Sequence, residues 1–372
     1  MKAKHYKSIL LTNIIMLTAG ILLVCADIAI GGGNSSVKFL DQTGTPYGIK
    51  HIANKPRMSA TPYTYDIAEG NVPNHSKVNK FGNNDDTATT VELVSDLAQA
   101  VYPYLTAAET LQVVGADVDD QGLLQDSGTA TGGSALTLED TGGDFINDSV
   151  AVGDLLLNDT KSSHGIITAR TATLITVFKM DNGSSSVNEA GDVYRVANAN
   201  DTGAAVVSIS GLDGNYDIIT EHVILNGQSD VTTTATFLRV FRCRVHLAGS
   251  SGFNEGNVTV ENNASNVALA RITAAKGQTL MAQWTVPEGY TFFLTSWTNG
   301  EQSNKGSEFE LLARPFGEAF QIKDSMHVFG ASDTRLYELP NSYGERTDIE
   351  VRVTSGGAGG SVNSGFSGWY EK

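Results

Sequence analysis

The chain has 372 residues, of which 18% are charged, and a formal net charge of −16. A chain this long buries a core without metals or disulfides, and its acidic excess, with no stripe of Lys or Arg, excludes nucleic acid from the expected partners. Abundant Gly, Ser, Thr, Asn and Val favour short strands and tight turns over helices, and two cysteines, Cys25 and Cys243, cannot supply a disulfide framework.

In chain order, Lys2, Lys4 and Lys7 precede an uncharged apolar run from Ile9 to Ala26, closed by Asp27 and Gly31-Gly32-Gly33. The run has the layout of an export signal with a V-C-A cleavage-like end, and it is at the short end for a membrane span. Signal peptide, signal anchor and misassigned start all stay open for residues 1–33, and membrane contact is expected only through 9–26, if retained. Val24 before Cys25 argues against lipidation.

Residues 34–90 are rich in Pro, Asn, Gly and Asp without a sustained period and read as an extended arm. Tyr63, Tyr65, Ile67 and Phe81 are too apolar for a free linker, so the arm is expected to pack on a neighbouring subunit or across its own domain. A helix is predicted around Val91–Ala100, with Thr90 as cap and Pro103 as stop, followed by a strand at 110–115.

Residues 121–200 carry their own turn-bounded strands (SALTLED, SVAVGDLLLND, GIITARTATLITVFKM, GDVYRVAN) between linker-like flanks and read as an inserted small β-module. The flanks VVGADV (113–118) and AAVVSISGLDG (204–214) are expected to pair. Segments 91–120 and 201–275 then form a first β-sandwich. Within it AAVVSISGLDGNYDIITEHVILNG is a hairpin turning at 211–215, and FLRVFRCRVHL has a register break between Val240 and Cys243 that signals a bulge. Residues 276–372 hold six strand candidates with β-sandwich or jelly-roll spacing, a tight hairpin at Pro287–Gly289, and Trp284, Phe292, Phe293, Trp297, Phe309, Phe316 and Phe320 as core. The expected fold is mainly β: sandwich or jelly-roll-like units, an N-terminal arm and an inserted module.

No P-loop, Gly-x-Ser-x-Gly elbow or His-Glu-x-x-His occurs, and the histidines at 5, 51, 75, 164, 222, 246 and 327 never take the close spacing of a local metal pair. No catalytic, cofactor or metal residue is therefore assigned. His222 and His246 lie in strands that could pair across a sheet near Glu221 or an arginine, with a structural role preferred. DVDD (117–120) and NNDD (83–86) offer oxygen ligands of the kind calcium takes, but Asp and Asn in such turns more often cap backbone amides. Cys243 reads as a small buried hydrophobe. Trp297, Trp369 and Tyr370 are the aromatics considered for a surface role. Tyr63, Tyr65, Ile67, Phe81, Trp369 and Tyr370 are the candidate interface residues.

The stretches PRMSATPYTYDIAEGNVPNHSKVNKFGNNDD, VSISGLDGNYDIITEHVILNG, LRVFRCRVHLAGSSGFNEGNVTV and GQTLMAQWTVPEGYTFFLTSW resemble virion structural proteins of tailed marine phages, over roughly residues 48–115 and 203–300. The inserted segment is similar to a small β-module of other phage structural proteins, with Gly153-Asp154 and Gly191-Asp192 where a Gly-Asp pair opens and closes the unit. The resemblance implies a non-enzymatic capsid-associated, decoration or fibre-like protein without cofactor, located in the virion and partnered by itself and by other virion proteins. The signal-like start departs from that picture. It sustains the alternative of a secreted or cell-surface protein that binds a glycan.

Overall fold

The computed structural model describes residues 39–40, 46–47, 63–68, 70–97, 99–181 and 187–372. The expectations for residues 1–33 and the side chains of Tyr63 and Tyr65 lie outside the described residues. Contacts divide the chain into residues 1–61 and 62–372. In the first unit, β1 (Phe39–Leu40) pairs antiparallel with β2 (Pro46–Tyr47).

The second unit is mainly β, built from antiparallel sheets, as the composition predicts. Its C-terminal part holds two of them. One runs β23 (Ser332–Tyr343), β20 (Thr291–Glu301), β25 (Gly360–Glu371), β3 (His75–Thr87). The other runs β19 (Gln283–Thr285), β24 (Asp348–Ser355), β21 (Ser307–Arg314), β22 (Gln321–Val328), with β4 (Glu92–Leu93) also on β24. Both sheets contribute to one apolar cluster, in which Phe292, Leu294, Trp297, Val362 and Phe366 from the first meet Phe309, Leu311, Ile349 and Val351 from the second.

Next in space, β14 (Ile218–Ile224), β13 (Ala204–Leu212) and β16 (Arg239–Ala248) form a three-stranded sheet. It shares a second cluster with the sheet β15 (Val231–Thr232), β5 (Leu111–Gly115), β17 (Val258–Asn262), β18 (Ala268–Ile272). Residues 122–199 make a seven-stranded sheet in the order β6 (Gly122–Thr129), β12 (Val193–Ala199), β9 (Leu155–Asn158), β10 (Ser163–Arg170), β11 (Leu174–Val177), β8 (Thr137–Glu139), β7 (Gly132–Gly133). This sheet has a core of its own around Phe145, Leu156, Ile167 and Tyr194.

The two Gly-Asp pairs make equivalent turns. Gly153 and Gly191 take φ of 100° and 94°, and the following Asp154 and Asp192 accept the backbone N–H of Ala151 and Glu189, three residues back, at 2.7 and 3.0 Å. Each turn launches one of the paired strands β9 and β12.

The hairpin of β13 and β14 forms as expected, closed by Asp213, whose Oδ1 accepts the N–H of Asn215 and Asp217. Opposite Gly211 the ladder steps from Arg242 to Val240, so Phe241 is the extra residue of the anticipated bulge. A Cβ at Gly211 would stand 2.0 Å from the Arg239 carbonyl oxygen, which is why glycine occupies that place.

Several expectations are corrected. Residues 75–87 of the arm are a thirteen-residue strand, not irregular chain. Its inward positions are Val78, Lys80, Gly82 and Asn84, so alternation exists in burial but not in hydropathy. Among the described residues of 91–100 there is no helix. Leu93 and Val94, adjacent in sequence, enter two different clusters, and Val94 bonds the backbone of Val351 and Ala282, an arrangement only extended chain allows. The strand at 111–115 does not pair with 204–212 but with β15 and β17. The flanks of the module meet instead through Asp120. This fully buried carboxylate accepts the N–H of Ala204 and Glu255 on Oδ1 and of Gly256 on Oδ2, at 2.8–2.9 Å. Pro287–Gly289 makes a tight turn but no hairpin, because it carries the chain from β19 in one sheet to β20 in the other. Phe316 is exposed, Phe293 lies on the outer side of β20 and Phe320 covers Arg314, while Trp284, Phe292, Trp297 and Phe309 are core. β23 carries no strand signal in its sequence because most of its residues are exposed and polar.

A buried carboxylate joins the first two clusters. Asp348 accepts from Arg239 Nε at 3.0 Å, Arg314 Nη2 at 2.6 Å and Thr285 Oγ1 at 2.7 Å. Removing one partner of a buried ion pair strands the others, so Asp348→Ala should cost about 3–5 kcal/mol in urea unfolding. A loss below about 1 kcal/mol would show that the guanidinium groups find water instead.

Candidate metal centre

The three-stranded sheet is covered on both faces. Val207, Ile209, Val223 and Cys243 belong to the second cluster, while Ala205 and Val206 pack with Leu155, Leu157 and Ala197 of the module. β9 is likewise buried on both sides, which explains its unbroken Leu-Leu-Leu: Leu156 enters the module core, and Leu155 and Leu157 enter the joint.

Three histidines converge at that joint. His164 stands opposite Leu157 in the module ladder, on the face turned away from Ile167 and the module core. His222 is opposite Ser208 on β13. His246 occupies a second bulge of β16, between Val245 and Leu247, where the ladder to β13 skips one residue. Its side chain shares the face of Arg244, which stands opposite Ser208 as His222 does.

His222 Nε2 lies 3.2 Å from His164 Nδ1, and the rings of His164 and His246 have centroids 4.0 Å apart. One ring nitrogen from each of the three lies within 4.8 Å of the others. His246 Nε2 also meets Ser208 Oγ at 2.7 Å. Behind His222, Arg195 donates to its carbonyl oxygen at 2.8 Å while pairing with both oxygens of Asp159. Burial, then the neighbouring imidazoles and Arg195, push His222 down to about 3. Burial, His164 and Arg244 push His246 down to about 4, against an opposing pull from Asp181. His164 is lowered mainly by burial, with Asp181 opposing and Lys179 assisting. Near neutral pH the cluster is therefore three uncharged imidazoles, each with a lone pair, the form in which histidine ligates metal.

No residue spacing announced this cluster, since its members are 58 and 24 positions apart and belong to two structural parts. Only the sheet placement of His222 and His246 was legible, and the expected neighbour Glu221 caps the N–H of Thr234 and Ala235 instead.

Elsewhere the aspartate clusters act on the backbone. In DVDD, Asp117 caps Asp119 and Asp120 holds the module root, and in NNDD, Asn84 caps Asp86 while Asp85 accepts from Ser361. Cys243 is buried, and burial raises its thiol to about 12. Of the candidate interface residues, Ile67 is buried and Tyr370 packs against the core beside Trp284 and Tyr290. Phe81 lies under the Arg242 guanidinium, and Trp369 stacks on Phe293 at 5.4 Å. Trp297 is fully buried, its Nε1 donating to Ser364 Oγ. No family model and no curated protein matches the sequence.

The depressed imidazoles give acid sensitivity a definite sign. Unfolded histidine titrates near 6.5, whereas His222 and His246 are held to about 3 and about 4, so the unfolded chain takes up protons first. Stability present above 6.5 is lost as the pH falls toward those lower values. Asp96, raised by burial to about 6, works in the opposite direction, so the histidine share is read as a difference between proteins. His222→Gln should lose less melting temperature than the parent chain between about pH 7 and about pH 4.5. Parallel curves would remove the cluster from the acid response.

Proposed function

We propose that the chain is a non-catalytic structural protein of a phage particle, made of sandwich-like β units, which assembles with copies of itself and with other particle proteins. The observation that carries this reading is the surface of β22, β23 and the turn between them. Ile322, Phe329, Leu336 and Leu339 are 57%, 69%, 75% and 85% exposed there, on strands at the outer edges of their sheets. Apolar side chains so exposed on outer strands mark contact surfaces. The ladder from β23 to β20 opens between Leu336 and Asn341, and Pro340 lies in that gap. Backbone strand addition is thereby blunted, and the contact on offer is one of side chains. Asp324 of β22 accepts from Arg335 and from Tyr337 Oη of β23, which holds the two strands as one platform.

The resemblance in the arm, the GLD turn and the AGSSG stretch supports the particle assignment, and the platform supports self-assembly. Mass spectrometry of purified particles and of culture supernatant, reading the mature N-terminus, tests the location. Recovery from particles is expected, and recovery only from supernatant, cut after Ala26, would overturn it in favour of a secreted binding protein. Leu336→Asp with Leu339→Asp should weaken self-association in sedimentation equilibrium by at least about tenfold. Unchanged association would dismiss the platform.

A further inference from the structure

We propose that His164, His222 and His246 together bind one divalent transition ion of the zinc class, which bridges the inserted module to the three-stranded sheet. The ligands are three imidazoles with no thiolate or carboxylate among them, a donor set that suits zinc, nickel, copper or iron(II) and disfavours calcium or magnesium.

The geometry is close to what such an ion needs. Nitrogens on one tetrahedral zinc, each about 2.0–2.1 Å from the metal, stand about 3.4 Å apart. His222 Nε2 and His164 Nδ1 are already 3.2 Å apart, and all three donors fall within 4.8 Å. The remaining closure, from at most 4.8 Å to about 3.4 Å, is about 1.4 Å, within reach of side-chain rotation at His164 and His246, which are both only partly buried. Ser208 Oγ engages the His246 ring at Nε2 and restrains its orientation. Three protein ligands would leave the fourth tetrahedral position of a zinc ion for a non-protein ligand.

The placement gives the ion a task. His164 comes from β10 of the module, and His222 and His246 come from the two outer strands of the sheet it rests on. An ion held by all three adds to a joint otherwise made by the small Leu155, Leu157, Ala197, Ala205, Val206 cluster and the Arg195 bond to the His222 carbonyl. It binds only the docked arrangement and so stabilises it by mass action.

The test uses the full chain without an affinity tag, stripped with a chelator, dialysed against zinc and analysed for bound metal. One equivalent per chain is expected, with a rise in melting temperature. His164→Ala should lower zinc affinity by at least about 100-fold, while His327→Ala, at an exposed histidine of β22, should leave it unchanged. Zinc bound equally by the parent chain and His164→Ala, or lost equally from His327→Ala, would overturn the proposal. Cobalt(II) added to the stripped parent chain supplies a reading that needs no variant. Intense visible absorption from a low-symmetry nitrogen site is expected, and the pale spectrum of the aqueous ion would refute the site.

Discussion

The carboxylate of Asp348 is the point through which the C-terminal sheets and the middle sheets are held together. Two guanidinium groups from different sheets, Arg239 and Arg314, converge on it in a place that water barely reaches. Such a charge is tolerable only with its partners in place, so the arrangement of β16, β21 and β24 is fixed jointly or not at all. The network extends outward. Tyr104 lies between the two guanidinium groups, at 4.8 and 4.1 Å from its ring, and donates to Glu350 at 2.7 Å. Glu350 in turn accepts from Arg352, and Phe320 covers both Arg314 and Arg352. Three cations facing two carboxylates leave an excess positive charge that the aromatic faces help to offset.

A similar logic runs through the other joints. Lys80, buried and pushed well below its usual range by desolvation and by Arg242 and Arg244, donates to the carbonyl of Phe241 at the β16 bulge. Asp120 gathers three amides where the chain leaves for the module and returns. In each case a polar side chain satisfies backbone that irregular strands have left unpaired, which is the condition for burying a bulge or a crossing point. The module joint adds to such a bond, Arg195 to the His222 carbonyl, a small apolar cluster and the three imidazoles.

What sequence reasoning could read followed from hydropathy and turn chemistry. The GLD hairpin, the bulge near Phe241 and the six C-terminal strands were legible because alternating apolar residues and Gly, Asn or Pro punctuation are local signals. β3 and β23 were not, because the first turns Lys80, Gly82 and Asn84 inward and the second carries Leu336 and Leu339 outward. The helix expected at Val91–Ala100 failed because Leu93 and Val94 satisfy separate cores, a demand that no local propensity records. Tyr370 and Trp369 could not be told apart from the sequence, since neighbouring residues of a strand face opposite ways.

The sequence by itself determined a mainly β protein with an acidic charge balance, a buried thiol at Cys243 and a turn at Gly211–Asn215, because these depend on composition and on contacts within a few residues. Only the tertiary structure decided which strands became neighbours, which carboxylates were enclosed, and that His164 should meet His222 and His246. Those outcomes depend on register between segments distant in sequence: 82 positions separate His164 from His246, and 109 separate Arg239 from Asp348. A single residue of register reverses the face of every later side chain, so pairing had to be settled before the cluster could exist.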